Sequence, residues 1–458
     1  MTSRALLRPL LLSLLGAATL PGANALAASR PPYGGTLALA HPGAGAPADP
    51  SLADSPRQAT LRALSSSGLC RLEQGGALQP VLALHLERTR PQLLEVTLPT
   101  PALASAFARA LARLAGPGSA SPYRALLHPL QGEGRRIPVS GARLQLSLAY
   151  PWPDLERALC HPALGAPEAP GPFAPAAEGS LGAQPRHPEG RPFLDGVRVQ
   201  AGAEERELSR RLAASEVQVT LGGAAQAGAS APAALHATYL AFSPRRLPPD
   251  FRQAVESVLD RAELLRLYVR GPAQPMAQLL PPALLPLPAA PPPRPAAPAP
   301  AGGRRVTLAY DAELEDQRAV AERLQVKLYE RGYAVALAPL GRAALRARWA
   351  AGDFELMLHA VLLPPVPPLA LAVALETGGR HDLLGVELPR LGRVADAAAR
   401  DALARERALA LGPSVPLIPL FARGLALRAA PEVAGLRWDA QGLALLPGLW
   451  LRPAAEAP

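Results

Sequence analysis

Alternating and helically spaced hydrophobic residues divide this chain into short strands and helices. Residues 142–150 alternate between apolar and polar side chains, which is typical of a half-buried β-strand. Residues 100–115 instead place apolar side chains three and four positions apart, the spacing that lines one face of a helix. That face comprises Leu103, Phe107, Ala110, Leu111 and Leu114. The sequence Gly116-Pro117-Gly118 then predicts the end of this helix.

Strands alternate with helices over residues 304–361. A strand at 304–313 precedes a helix at 317–331, in which Val320, Leu324 and Leu328 recur at helical spacing. Residues 332–361 predict a strand, a helix and a second strand. Because a parallel strand pair needs a crossover connection, this order predicts parallel pairing and an α/β arrangement.

Residues 281–303 are dense in proline and alanine and carry almost no polar side chains. Proline lacks the amide hydrogen that helices and strand ladders use, so the segment predicts an extended linker. This linker interrupts the second half of the chain.

The first 25 residues have the layout of an export signal. Arg4 and Arg8 give a positive start to a leucine-rich run at 9–20, and Ala23-Asn24-Ala25 follows with small residues. The apolar run is too short for a stop-transfer helix. We expect cleavage near Ala25 and a soluble periplasmic product, with an uncleaved anchor as the alternative. No cysteine follows the cleavage region, so we do not expect a lipid anchor.

Composition and charge argue against nucleic acid as a partner. Cleavage would leave about 430 residues, and 49% of the residues in the whole chain are hydrophobic. A chain of this length and composition suffices for two or three domains with their own cores. The net charge of +10 falls to +8 without Arg4 and Arg8 and is spread over many arginines, as on a solvated basic surface. Aromatic residues make up 4% of the chain, too few for base stacking. We therefore expect no nucleic-acid binding.

The most informative segment is residues 237–285, an apolar strand, an amphipathic helix and an exit loop. The segment resembles family 5 of the ABC-transporter solute-binding proteins, periplasmic receptors for peptides, nickel chelates and similar solutes. In that family a "YLxFN" strand precedes a helix reading "RxAxxxAIDRExL" and a Gly- and Pro-containing exit. The matching residues are Tyr239, Leu240 and Phe242 in the strand, Arg252, Ala254, Asp260, Arg261 and Leu264 in the helix, and Gly271, Pro275, Pro281 and Pro282 in the exit.

Further pieces resemble the same family and follow in its order. Residues 33–50 resemble its opening "GGTLxxAxxxxPxxLDP", and residues 169–176 resemble its "GTGPF" turn. Residues 190–200 resemble the "GxPYLDxVxxR" strand entry, and residues 320–361 resemble the strand and helix succession that ends in "GDFDL". Together these pieces cover nearly all of residues 33–452.

The resemblance implies a fold as well as an order of elements. We expect an α/β, two-lobed periplasmic binding protein (type II, cluster C-like) with a discontinuous lobe one and a hinge of crossing strands. Lobe one is expected at 31–245, with an inserted subdomain at about 67–165. Lobe two is expected at 246–414, including the linker 281–303, and residues 415–458 are expected to return to lobe one.

The resemblance also implies a function, that of the periplasmic receptor of an ABC importer. Its lobes would close over a peptide-like or small organic solute and deliver it to the ABC permease complex in the inner membrane. A ligand stabilises such a closed form only by its differential affinity for it. We expect a monomer without a cofactor. The alternative is a degenerate, receptor-derived interaction protein without a transport ligand, which a cleft filled by its own apolar side chains would favour.

One departure from the family bears on the ligand. Peptide-binding members place an aspartate just after the "GDFDL" strand, where it pairs with the amine of the peptide. Here Asp353-Phe354-Glu355-Leu356 is followed by MLHAVLLPPVPPLAL, which contains no Asp, Trp or Tyr. A buried ammonium without a counter-charge is costly. The ligand is therefore expected to be neutral, apolar or acidic.

Five residues are candidates for ligand binding in the cleft, and each has a structural alternative. Asp49 stands where a side chain can also cap the following helix. Trp152 lies beside a strand end, Phe173 in the Gly-Pro-Phe turn and Phe242 near the hinge, and for each of them a structural role is the commoner one. His359 lies on a strand with the pattern of a buried one, which also fits a core histidine with its hydrogen bonds satisfied.

Cys70 and Cys160 are the two cysteines of the chain. In an oxidising compartment a disulfide between them would persist. The sequence leaves this disulfide and two buried thiols both open, because the distance between the two residues decides the matter. Two cysteines alone make no metal site.

The usual enzyme motifs are missing. The eight histidines are scattered singly, without HExxH or another paired spacing for zinc. The sequence contains no GxSxG elbow, Walker loop or GxGxxG. We therefore expect a protein that binds rather than catalyses.

Overall fold

The strands form two six-stranded sheets, one four-stranded sheet and two short pairs. The computed structural model describes residues 31–453 apart from 131–135, 178, 203, 224–232, 249, 287–303 and 315. From Pro32 onward the described chain forms one compact unit. The expected signal peptide at 1–25 and most of the linker at 281–303 lie outside the described residues.

The elements of the described chain are numbered in order. The strands are β1 (Thr36–Ala40), β2 (Cys70–Leu72), β3 (Leu78–Pro80), β4 (His85–Arg90), β5 (Leu93–Thr97), β6 (Val139–Ser140), β7 (Arg143–Ser147), β8 (Phe173–Pro175), β9 (Ser180–Ala183), β10 (Gly196–Gln200), β11 (Val219–Leu221), β12 (His236–Phe242), β13 (Ala273–Pro275), β14 (Arg304–Asp311), β15 (Tyr333–Leu340), β16 (Leu356–Leu362), β17 (Leu417–Arg423), β18 (Leu427–Ala429), β19 (Val433–Ala434) and β20 (Trp450–Leu451). The helices are α1 (Pro56–Ser65), α2 (Pro101–Ala115), α3 (Leu155–Leu159), α4 (Glu205–Ala213), α5 (Phe251–Glu256), α6 (Arg261–Tyr268), α7 (Gln317–Tyr329), α8 (Arg342–Ala351), α9 (Pro367–Thr377), α10 (His381–Gly392) and α11 (Ala397–Leu411).

The first six-stranded sheet is built around β1, which pairs in parallel with β10 and β11. Its order is β18-β11-β1-β10-β9-β8, so a strand from near the C-terminus completes one edge. Leu37, Leu39 and Val197 are fully buried in its core. We call this sheet, together with the four-stranded sheet and its helices, lobe one.

The four-stranded sheet has the order β4-β5-β7-β6 and shares a core with α2. Thr100 caps α2 by accepting a hydrogen bond from the Leu103 amide at 3.3 Å, and the helix ends at Ala115 as the glycines predict. Phe107 and Leu111, on the predicted apolar face, are fully buried. A disulfide joins Cys70 of β2 to Cys160 after α3, with an S–S distance of 2.10 Å, and ties this subdomain together.

The second six-stranded sheet has the order β13-β17-β12-β16-β14-β15, and we call it and its helices lobe two. Strand β14 pairs in parallel with both β15 and β16, which confirms the parallel pairing predicted for residues 304–361. Helices α7 and α8 make the two crossovers between these strands. Strand β12 is antiparallel to β16 and β17.

Two strands differ from the expected lobe boundaries. Strand β12 precedes residue 245 and β17 follows residue 415, yet both lie inside the sheet of lobe two. Strand β12 is buried along nearly its whole length, so it needs neighbours on both edges and a cover on both faces. The chain therefore enters lobe two before His236 and returns to lobe one at Leu427.

Helix α9 of lobe two lies inside the protein core. Every one of its 11 residues is buried, from Pro367 to Thr377. It packs between α10, α11 and a short 3-10 segment of lobe one, Pro122–Leu127. None of the helices in the described part of the chain combines the length and hydropathy that a bilayer span requires.

Candidate functional site

The chain passes twice between the lobes, and a cavity of about 280 Å³ lies beside these passages. Lobe one contributes the start of α1, including Arg57, and Gly222 after β11. Lobe two contributes Tyr268 at the end of α6, Arg270 after it, and Asp316 before α7. The passage from β17 to β18 forms a further wall with Arg423. Groups from both lobes therefore face one space, which is the geometry that lobe closure around a small solute requires.

Arg423 organises the polar wall of this cavity. Its Nη1 donates to Asp316 Oδ2 at 2.7 Å, and its Nε donates to His236 Nδ1 at 3.0 Å. Asp316 occupies the N-cap position of α7 but makes no capping bond with its side chain. Its carboxylate instead holds the crossing strand against the helix start.

His236 is fully buried behind Arg423 on β12. Burial lowers its pKa well below the ordinary value, and the charges of Arg423, Arg342 and Arg57 lower it further. The ring is therefore neutral, and since Nδ1 accepts from Arg423, the proton lies on Nε2. His236 acts as a fixed acceptor that orients the guanidinium of Arg423.

Beyond the cavity the lobes touch through buried charges. Arg346 Nη2 of α8 lies 2.6 Å from Asp54 Oδ1 of lobe one. Arg342, also on α8, pairs with Asp311 at 2.8 Å within lobe two and reaches the Leu52 carbonyl at 3.0 Å and the Gln58 side chain across the junction. The side chains of Asp54, Arg342 and Arg346 are at most 5% exposed. This cluster closes one part of the junction to solvent.

A second set of contacts holds the end of β16 against lobe one. The Leu362 amide donates to the Tyr123 hydroxyl at 3.0 Å, and His161 Nε2 donates to the Leu362 carbonyl at 3.1 Å. His161 Nδ1 accepts from the Ala163 amide, which assigns the ring proton to Nε2. Burial lowers the pKa of His161 to about 4, so this donor is neutral at physiological pH.

Apolar side chains fill the remainder of this part of the junction. One continuous core contains Leu94 and Phe107 of lobe one together with Leu362 and Leu363 of lobe two, and α9 lies within it. Two further ion pairs flank that core, Arg124 with Glu376 and Arg400 with Asp154, the latter through contacts of 2.7 and 3.0 Å. Open space between the lobes is found at the crossing strands and also beside the end of α9, where a cavity of about 310 Å³ is lined by Arg124 and Glu376.

The five predicted ligand residues lie in separate places. Asp49 caps the 3-10 segment Pro50–Leu52 by accepting from the Ser51 amide at 2.9 Å. Trp152 and Phe173 are each 1% exposed and lie in two different cores. Phe242 packs on Phe251 of lobe two, with 5.7 Å between ring centroids. Their roles in ligand binding stay predictions.

His359 lies at the lobe junction, behind Arg346. Its Nε2 accepts from Arg346 Nη1 at 2.8 Å, and its ring packs edge-on against Trp349. Burial, and then the charge of Arg346, holds its pKa well below the ordinary value. His359 thus supports the arginine that crosses to Asp54. Sequence reasoning missed Arg423, Asp316 and His236, because single charged residues at strand and helix ends carry no motif.

Ser67 and His187 form the one buried serine–histidine contact seen in the described residues, with 3.0 Å between Oγ and Nε2. The Glu189 amide donates to His187 Nδ1, so the ring proton lies on Nε2 and points at the serine. A general base needs the opposite tautomer. In the described chain no group of three or more His, Cys, Asp or Glu side chains is placed to hold a metal ion.

Comparisons with known proteins agree on the fold. No protein-family model matches the chain, and no curated protein sequence matches it. Among solved structures, the binding protein AgaA of A. tumefaciens R10 in complex with agropinic acid is similar, with a TM-score of 0.70 and 16% identity over 92% of this chain and 99% of that one.

Two peptide-binding structures are similar to the same extent. DppA of Helicobacter pylori with the peptide STSA has a TM-score of 0.72 and 15% identity over 92% of this chain and 99% of its own. The Escherichia coli murein tripeptide binding protein MppA has a TM-score of 0.71 and 14% identity over 91% of this chain and 98% of its own. The chain therefore has the α/β fold of these two-lobed periplasmic binding proteins, as expected from the sequence.

Proposed function

We propose that the protein is an exported receptor of an ABC importer, which binds a small organic or peptide-like solute between its lobes and presents it to a permease. The observation that carries this proposal is the cavity at the crossing strands, which both lobes line. A solute there contacts both lobes only when they are closed, so its binding favours the closed form.

The lining of this cavity suits an oriented polar solute. The charged residues of the described chain that line it are three arginines, Arg57, Arg270 and Arg423, and one acid, Asp316. Tyr268 adds an aromatic surface. AgaA is seen with agropinic acid and DppA with a peptide. By analogy with these neighbours, a solute with hydrogen-bonding groups along its length fits the proposal.

Localisation, partners and chemistry follow from the same proposal. The protein acts in the periplasm as a monomer with its signal peptide removed, and its partners are the solute and the inner-membrane permease complex. It is not an enzyme and needs no cofactor. The tautomer of His187 supports this view, since the neighbouring Ser67 has no base to accept its proton.

A degenerate receptor without a solute is the second candidate. The apolar core that joins the lobes along α9 favours it, because a cleft filled by the protein's own side chains leaves less room for a ligand. In that case the closed junction is permanent and the protein acts through surface contacts.

Native mass spectrometry of the protein purified from its own periplasm separates the two candidates. The receptor retains a small molecule, while the degenerate protein yields only the mass of the chain. Tyr268→Ala, in the cavity, should abolish the retained mass, and Tyr329→Ala, at a tyrosine that is 73% exposed elsewhere on lobe two, should leave it unchanged. Equal loss or equal retention in the two variants rules out the cavity as the solute site.

A further inference from the structure

A second cavity, of about 360 Å³, lies wholly within lobe one. Its walls are the inner face of α1, the segment from Ser67 to Arg71, the loop from His187 to Phe193 and the C-terminal segment from Arg437 to Gly448. It has no lining residue in common with the cavity at the crossing strands. Its volume falls in the range of small-molecule sites.

One wall presents a hydrogen-bond donor that lacks a partner. Asp439 Oδ1 accepts from the Gln441 amide at 2.9 Å and from the Leu443 amide at 2.8 Å, which holds Gln441 in a tight loop. The Gln441 side chain lines the cavity, is 5% exposed, and its Nε2 makes no hydrogen bond within the described residues. A buried amide donor without an acceptor is costly, so the site favours a ligand that brings one.

Four arginines line the same cavity, and two of them form ion pairs with carboxylates of the protein. Arg71 pairs with Glu73 and Glu189, and Arg191 pairs with Asp195.

The other two arginines form no salt bridge within the described residues, and of these two Arg62 feels the charge of Asp49. Arg62 donates to the Pro47 carbonyl at 3.0 Å and to the Ser66 hydroxyl at 3.4 Å, both of which are neutral. Arg437 lines the cavity and forms no ion pair within the described residues. The acids in the lining are Glu189, which pairs with Arg71, and Asp439, whose pKa burial raises to about 7, so that it carries less negative charge near neutral pH than an ordinary carboxylate. The lining therefore favours an anion.

The rest of the cavity is apolar. Val81, Leu443 and the Cys70–Cys160 disulfide line it, and at its rim Tyr33 packs on Phe193 with 5.2 Å between ring centroids. The guanidinium of Arg191 stands 5.1 Å above the Tyr33 ring and fixes it. A simple inorganic anion would leave these surfaces in contact with water.

We propose that this cavity is a binding site for a small carboxylate with an apolar, preferably aromatic, body. The carboxylate accepts from the Gln441 amide and is attracted by Arg62 and Arg437, and the apolar body lies against the disulfide and the Tyr33–Phe193 pair. The site belongs to lobe one alone, so it does not depend on lobe closure or on the solute proposed above.

The probe for this site is 4-bromophenylacetate, with the neutral 4-bromophenylacetamide as its matched analogue. Calorimetric titration of the full mature chain is expected to show binding of the acid, with the amide weaker by about tenfold or more because it loses the charge-assisted bonds. Gln441→Leu and Arg437→Gln should each weaken binding of the acid by a similar factor. Arg390→Gln, at an exposed arginine on α10, is the control and should leave binding unchanged.

A crystal soaked with the acid locates the probe through the anomalous signal of bromine. Density between Gln441 and Tyr33 supports the site. The proposal is overturned if the acid fails to bind at about 10 mM, if acid and amide bind equally, or if bromine is found only elsewhere. Because Arg437 is exposed, its variant folds even if Gln441→Leu does not. Tyr268→Ala separates the two sites, since it should not affect this probe.

Discussion

Arg346 and Asp54 form an ion pair across the two lobes, with 2.6 Å between Nη2 and Oδ1 and side chains that are 3% and 4% exposed. His359 supports the arginine from behind, and Arg342 lies beside it. The carboxylate and the guanidinium are far from water, so each depends on the other for compensation. This contact therefore ties lobe closure to two buried charges.

Asp54→Ala is therefore expected to destabilise the protein strongly. It leaves Arg346 buried without this carboxylate, and breaking a buried pair typically costs about 3–5 kcal/mol. Urea unfolding measures the loss, and small-angle scattering should show a larger radius from lobe opening. The control is Glu322→Ala, in the exposed pair with Arg318, which should change stability little. A loss as small as the control's would show that the pair contributes nothing to the junction.

Gly392 allows the lobes to approach closely. A Cβ at this position would stand 2.2 Å from the Pro151 carbonyl oxygen of lobe one. Gly392→Ala should cost about 1–3 kcal/mol through overpacking and shift the lobes apart. Gly385→Ala, on the same helix α10 with open space around it, should instead stabilise by up to about 1 kcal/mol. Thermal unfolding measures the stability of both variants. A similar change in stability in the two would contradict the close approach of the lobes at Gly392.

Asp439 makes stability depend on pH. Burial raises its pKa from 3.8 to about 7, so between these values the folded protein binds more protons than the unfolded chain. Its contribution is therefore largest below about pH 4 and is lost as pH rises to about 7, up to about 4 kcal/mol in total. Asn keeps an oxygen for the two amide donors and does not titrate. Relative to the wild type, Asp439→Asn should become progressively more stable between pH 4 and 7, measured by urea unfolding at several pH values; parallel profiles would argue against the shift.

The Cys70–Cys160 disulfide closes a loop of 90 residues. In the chain-entropy model, this loop restrains the unfolded chain by about 4–5 kcal/mol. The double variant Cys70→Ser/Cys160→Ser should lose a comparable part of its free energy of unfolding. The wild type treated with dithiothreitol is the matched comparison, and a wild type that is insensitive to reductant would refute the expected stabilisation.

The segment that follows His359 should not hold a peptide amine. Val361, Leu362 and Leu363 are fully buried, so an ammonium would lie there without a counter-charge. A loss of even ~3 kcal/mol weakens binding by more than a hundredfold. Titration with di- to pentapeptides should show no dependence on acetylation of the amine. Micromolar binding that disappears on acetylation would mean that another carboxylate has taken the role.

Much of the architecture follows from the sequence alone. The spacing of Val320, Leu324 and Leu328 predicts α7, and all three are buried in the core of lobe two. The order of strands and helices from 304 to 361 predicts parallel pairing of β14, β15 and β16. Local patterns succeed here because a helix or strand that buries one face must show the period of that face in its own residues.

Tertiary structure decided the contacts between distant residues. Asp54 and Arg346 are 292 positions apart, and Cys70 and Cys160 are 90 apart, and no local pattern relates either pair. The sequence predicts an apolar strand at β12 but not that its neighbours are β16 and β17. It left Asp49 open between cap and ligand, and the cavities could not be foreseen. Pairing partners and cavities depend on how whole layers pack, whereas periodicity records only which face each element buries.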